Sequence, residues 1–93
     1  MKYEIVYTSK FKKSYKLCKR RGFDVSLLKE AIEILVTKGT LPPHYNPHIL
    51  SGKWSGVWEC HIKPDWLLIW NQYDDVLELL MLNTGTHSDL FKK

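Results

Sequence analysis

KWSGVWECHIKPDWLLIWNQYDDVLELLMLNT, residues 53–84, is the stretch whose reading decides the fold. Three apolar runs are separated there by two short turn signals, Lys63-Pro64 and Asp74-Asp75. From Lys53 to Ile62 the residues alternate: Trp54, Gly56, Trp58, Cys60 and Ile62 point one way, and Ser55, Val57, Glu59 and His61 the other. A period of two marks a strand. Trp66 to Tyr73 and Val76 to Thr84 read as the next two strands, rich in branched and aromatic residues. Strands joined by such short turns pair in sequence order as antiparallel hairpins. Gly85 breaks the last of them, and residues 88–93 read as a short C-terminal helix or tail.

Working back toward the N-terminus, Tyr3 to Tyr7 favours a strand. Ser9 can cap a helix that runs to about Arg21, with Phe11, Tyr15 and Cys18 on one face and Gly22 as its stop. Asp24 caps a second helix, through about Lys38, whose stripe is Leu28, Ala31, Ile32, Leu35 and Val36 and whose end is Gly39. Residues 40–52 read as loop, because Pro42, Pro43 and Pro47 exclude regular pairing and Ser51-Gly52 marks a turn. The expected order is therefore β-α-α-β-β-β. It describes an α+β domain over residues 1–93, with a mainly antiparallel twisted sheet and an N-terminal helical hairpin on one face.

Ninety-three residues suffice for one domain, and a hydrophobic share of 44% argues against disorder. There is no apolar run of transmembrane length, and Met1 to Val6 reads as a strand rather than an export signal. The expected location is the cytoplasm, away from membrane. Cys18 and Cys60 lack Cys-x-x-Cys spacing and are expected to be reduced and buried. The net charge of +4 is uneven: residues 1–40 carry ten Lys/Arg against four Asp/Glu, and residues 41–93 carry four against six. Lys10, Lys12, Lys13, Lys16, Lys19, Arg20 and Arg21 form a run with no acid among them. Such a run attracts a polyanion, either RNA phosphate or an acidic protein.

Strand order also places chemistry. His61 ends one strand and Asp65 begins the next, so both lie at one end of that hairpin. The last strand returns beside the Trp66 strand, which brings His87 to the same rim. The sequence offset of His48 neither requires nor excludes a place there. Two histidines and an aspartate suit metal-free RNA cleavage. Imidazole gives and takes protons near neutral pH, and Asp65 can orient one ring. Lysines offset phosphate charge, and Trp66 and Phe91 can stack on bases. A zinc site from Cys60, His61, Asp65 and His87 is disfavoured, because Cys60 faces away from His61 on an extended strand.

The chain resembles the YafQ branch of the RelE-like toxins of bacterial type II toxin–antitoxin systems. The likeness is densest in residues 47–56, in residues 59–69 and in residues 84–91, and it rests on His48 with Leu50 and Gly52, on His61, Pro64, Asp65 and Trp66, and on Gly85, Thr86, His87, Leu90 and Phe91. The resemblance implies a RelE-like fold and an mRNA endonuclease that works on the ribosome, needs no cofactor and is held inactive by a cognate antitoxin. It implies an active site of His48, His61, Asp65, His87 and Phe91. His87 would be the acid, either His48 or His61 the base, and Phe91 would position the nucleotide. Its implied products are a 2′,3′-cyclic phosphate, or the 3′-phosphate formed from it, and a 5′-hydroxyl. Relatives often carry an arginine just before the Thr-Gly-Thr-His segment, where this chain has Asn83. Phosphate charge would then fall to Lys53, Lys63 or a protonated histidine. Ile49 stands where a proline is common.

Two other readings compete. A gyrase-binding toxin of the same superfamily would not need the histidines. A non-catalytic RNA- or antitoxin-binding module would bind RNA in a salt-sensitive way through Lys12, Lys16 and Lys19 without turnover.

Overall fold

Strand, helix, helix and then a run of strands is the observed order. In the computed structural model, which describes residues 2–91, β1 (Glu4–Tyr7) leads into α1 (Ser9–Arg20) and α2 (Val25–Lys38). There follow β2 (His48–Ile49), β3 (Trp58–Lys63), β4 (Trp66–Tyr73), β5 (Glu78–Gly85) and α3 (His87–Leu90). Met1, Lys92 and Lys93, which the sequence reading included in the first strand and the tail, lie outside the described residues.

Thr8, rather than Ser9, caps α1: its hydroxyl accepts the Phe11 N–H and donates to the Met81 carbonyl on β5. One residue thus starts the helix and ties it to the sheet. Asp24 caps α2 through the Ser26 N–H, and Gly39 ends it in the left-handed conformation at φ 73°. Both helices cover one face of the sheet. There Phe11, Cys18, Leu28, Ala31, Ile32 and Leu35 pack on Cys60, Leu68, Trp70, Leu79 and Met81.

The five strands are ordered β1-β5-β4-β3-β2. β1 runs parallel to β5 and every other pair is antiparallel. Three expected boundaries move. The strand placed from Lys53 starts at Trp58, because Gly52–Trp54 is a 3-10 turn and Gly56 sits at φ 89°. The strand placed from Val76 starts at Glu78, because Leu77 turns at φ 53°. Part of the expected loop pairs: His48 and Ile49 lie opposite Glu59 and Trp58. Pro47 does not forbid this, since proline is tolerated at the start of an edge strand.

Between β4 and β5 the register slips by one residue at Leu82. This bulge lets Met81 and Leu79 face the helices while Asn83 faces the other way, which strict alternation through residues 76–84 would not allow.

Candidate active site

The sheet face away from the helices carries the chemistry. Partners across antiparallel strands point to the same side. His48, Glu59, Ile69 and Asn83 therefore form one row over four strands, and His61, Leu67 and Gly85 the next. Ile69 and Leu67 are a buried apolar floor. On it stands Glu59, with only 7% of its side chain exposed.

The Glu59 carboxylate lies 3.0 Å from His48 Nε2 and 3.8 Å from His61 Nε2. His48 Nδ1 is 2.8 Å from the Asn46 carbonyl. A carbonyl only accepts, so Nδ1 carries hydrogen. The Nε2 contact is then a hydrogen bond only if a proton lies between His48 and Glu59. Both ring nitrogens of His48 are thus engaged, whereas His61 meets Glu59 at longer range than hydrogen bonding.

His87 opens α3. Its backbone N–H donates to Asp65 Oδ1 at 2.9 Å, and its Nδ1 lies 2.5 Å from the same oxygen. Hydrogen bonding from the His87 N–H, and then from its ring, holds the Asp65 pKa below the usual carboxylate range. Asp65 is therefore the acceptor, and the ring is fixed with Nδ1–H inward and Nε2 outward. This interaction is complete above the ordinary Asp value and fades only as pH falls through the lowered one. The His87 and His61 rings stand edge to face at 5.9 Å, and His61 and His48 are 6.5 Å apart.

The turn that aims His87 is built by Gly85, Thr86 and Asp89. Thr86 Oγ1 accepts the Asp89 N–H, and Asp89 accepts the Thr86 N–H in return. Gly85 sits at φ 153°, and a Cβ there would lie 2.8 Å from Asp89 Oδ2 and 2.9 Å from Asp89 Cβ. Gly85→Ala is expected to lower stability by about 1–3 kcal/mol and to unseat α3. A thermal melt together with loss of cleavage checks it, and an unchanged melt and rate would contradict the packing.

The other expected site residues divide. Phe91 follows α3 and meets Trp54 edge to face at 5.4 Å. Lys53 shares the Trp54 turn. Lys63 lines a shallow pocket of about 380 Å³ with Phe23, Asp24, Asp65, Trp66 and Thr86. Trp66 presents no open ring: it is 3% exposed, its N–H donates to Thr84 Oγ1, and it packs on Phe23. Lys12, Lys16 and Lys19 line a groove between α1 and α2, floored by Tyr7, Phe11 and Tyr15, on the helix side of the sheet. They are not part of the histidine cluster.

Asn83 is nearly buried, and its Oδ1 accepts the Thr84 N–H. Its amide N–H groups are what it has left for the site. Glu59 was missed by the sequence reading, although its alternation with His61 placed both on one face. Cys18 and Cys60 are both buried and free, and burial pushes the Cys60 thiol up to about 12. Among the described residues no group of three or more His, Cys, Asp or Glu is arranged to hold a metal ion, and no helix is long and apolar enough to cross a membrane.

Comparison with known proteins gives the class, a toxin of bacterial type II toxin–antitoxin systems. Residues 3–92 match the family described as the bacterial toxin of type II toxin–antitoxin systems, YafQ. The chain belongs to the YafQ family. It is 36% identical over 89 residues to the mRNA interferase toxin YafQ of Escherichia coli K12, covering 95% of each chain. The crystal structure of the E. coli DinJ-YafQ toxin–antitoxin complex holds a chain that superposes with a TM-score of 0.88 at 35% identity, over 98% of this chain and 99% of that one. A metal-bound toxin from Helicobacter pylori gives 0.86 at 36% identity, over 96% and 99%.

Proposed function

We propose that this chain is a type II toxin that cuts mRNA on the ribosome by attack of a 2′-hydroxyl on the adjacent phosphate, without a metal ion. The observation that carries this reading is a pair of imidazole–carboxylate units at one rim: His87 on Asp65, and His61 near Glu59. Two such units supply the two proton transfers that the reaction needs.

His61 takes the 2′-hydroxyl proton, and Glu59 beneath it balances the imidazolium that forms. The oxygen then bonds to phosphorus. His87, as the imidazolium with Nδ1–H held by Asp65, gives its Nε2 proton to the departing 5′-oxygen and is left neutral. His48 is seated between the Asn46 carbonyl and Glu59 with both ring nitrogens engaged, and when it carries a second proton it offsets phosphate charge through its own charge rather than by a hydrogen bond. The Asn83 amide and Lys53 supply further donors where the family commonly has an arginine. Phe91, braced by Trp54, holds a base, and Lys63 attracts the backbone beyond the cut. Lys12, Lys16 and Lys19 add phosphate affinity and no chemistry.

The chain acts in the cytoplasm as one domain, and a cognate antitoxin silences it, as the DinJ-YafQ complex of the relative supports. The basic groove on α1, with its aromatic floor, has the chemistry to receive an acidic amphipathic antitoxin segment.

The metal-bound relative makes the metal question the sharpest test. Purified protein is expected to cleave RNA undiminished in EDTA, leaving 2′,3′-cyclic phosphate and 5′-hydroxyl ends. On ribosomes, which themselves need magnesium, the end groups alone decide. Ends bearing a 5′-phosphate, or cleavage restored only by added divalent ion, would overturn the proposal. Gyrase inhibition that persists without His61 and His87 would favour the rival toxin mode.

A further inference from the structure

α3 has four residues and carries His87. So short a helix does not hold its shape in water alone. Its capping box fixes one side of the turn and Gly85 closes another. A third support comes from far away in sequence. Arg21, the C-cap of α1, sets Nη1 2.7 Å and Nη2 3.2 Å from the two oxygens of Asp89. Arg21 is itself held, because its backbone N–H donates to Leu17 at the end of α1. A two-pronged guanidinium–carboxylate contact fixes orientation as well as distance. Among the described residues it is the one ion pair between a lysine or arginine and a carboxylate within 4.0 Å.

We infer that Arg21 and Asp89 form a clamp that positions His87 for proton donation, with Arg21 a positioning residue and not a phosphate ligand. The inference rests on His87 being the acid. From the sequence, Arg21 belongs to the basic run, whose expected partner is a polyanion, either RNA phosphate or an acidic protein. Its geometry says otherwise, since both prongs of the fork are occupied by Asp89. The Arg21 guanidinium, more than any other neighbour, brings the Asp89 carboxyl down to about 2. The pair is thus formed wherever the protein handles RNA and is lost only as pH falls through that value. Asp89 also holds the Thr86 N–H, one residue from His87. Loosening the clamp lets the His87 ring drift from Asp65, and displacement of a catalytic group by an ångström can cost up to about 10²-fold in rate.

The test uses short synthetic mRNAs on ribosomes, identical except that sulfur replaces the 5′-bridging oxygen at the cleaved bond in one. A thiolate leaves without protonation, so that RNA reports everything except the acid. Arg21→Gln is expected to lower the single-turnover rate on ordinary RNA about 10-fold, with KM within about 2-fold and near-normal cleavage of the sulfur RNA. Arg21→Lys, which keeps the charge and loses the fork, should fall about 3-fold. Arg21→Gln combined with Asp89→Asn should be no slower than the slower single variant, since the two act as one unit. A raised KM with an intact maximal rate in Arg21→Gln would make Arg21 a phosphate ligand and overturn the clamp. Equal slowing on both RNAs would also overturn it. The control is His87→Ala, which should recover on the sulfur RNA. If it does not, the acid assignment fails and the clamp with it. If it recovers and Arg21→Gln does not, the clamp alone fails.

Discussion

Replacing His87 with alanine is expected to slow RNA cleavage by about 10²–10⁴-fold while leaving the fold and RNA affinity near those of the parent. The side chain is 53% exposed and lies outside the hydrophobic core, so its loss removes no core. What goes is the one imidazole whose tautomer is set by a carboxylate, with Nε2 turned to solvent. His87→Gln can reproduce the contact to Asp65 but cannot deliver a proton, and should be nearly as slow. Single-turnover rates on a defined mRNA, with a thermal melt beside them, check this. A His87→Ala protein that cleaves within a few-fold of the parent would remove the acid from the mechanism.

Glu59→Gln is expected to cost about 10²-fold or more in the same assay. The substitution keeps shape and burial and removes one charge. His61 then loses the anion that balances its proton, and His48 loses its partner at 3.0 Å. The side-chain amide presents either a donor or an acceptor to each ring and cannot serve both as the carboxylate does. The rate–pH profile distinguishes this from simple damage, because the limb that reports the base should move while the limb that reports His87 stays. An unmoved profile with a parent-like rate would show that Glu59 only supports the strand. Asp65→Asn offers the matching case on the other unit.

The sequence disclosed the three hairpin strands, the helical pair, and the meeting of His61, Asp65 and His87, because each follows from local rules. Alternation gave faces, turn residues gave reversals, and consecutive hairpins gave neighbours. His48 escaped those rules. A two-residue edge strand has no periodicity to read, and the prolines around it pointed to loop. Its place depends on pairing with β3 across a turn that only the folded chain reveals. Asn83 was noticed as a missing charge, but the bulge at Leu82 that turns it toward the site leaves no mark in composition. Trp66 was read as a platform for bases. Its neighbours Phe23 and Thr84 come from distant parts of the chain and bury it. Lys12, Lys16 and Lys19 were rightly seen as a basic helix, yet helix periodicity cannot say which side of the sheet that helix will cover.

A sheet with helices on one side and bare chemistry on the other has an evolutionary consequence. Apart from Arg21 at the end of α1, substitutions that retune the α1–α2 surface need not touch the rows bearing His48, Glu59 and His61, because the strands keep the two populations of side chains apart. A lineage can therefore exchange one inhibitor for another, and drift in its pairing specificity, while the reaction it performs is inherited unchanged.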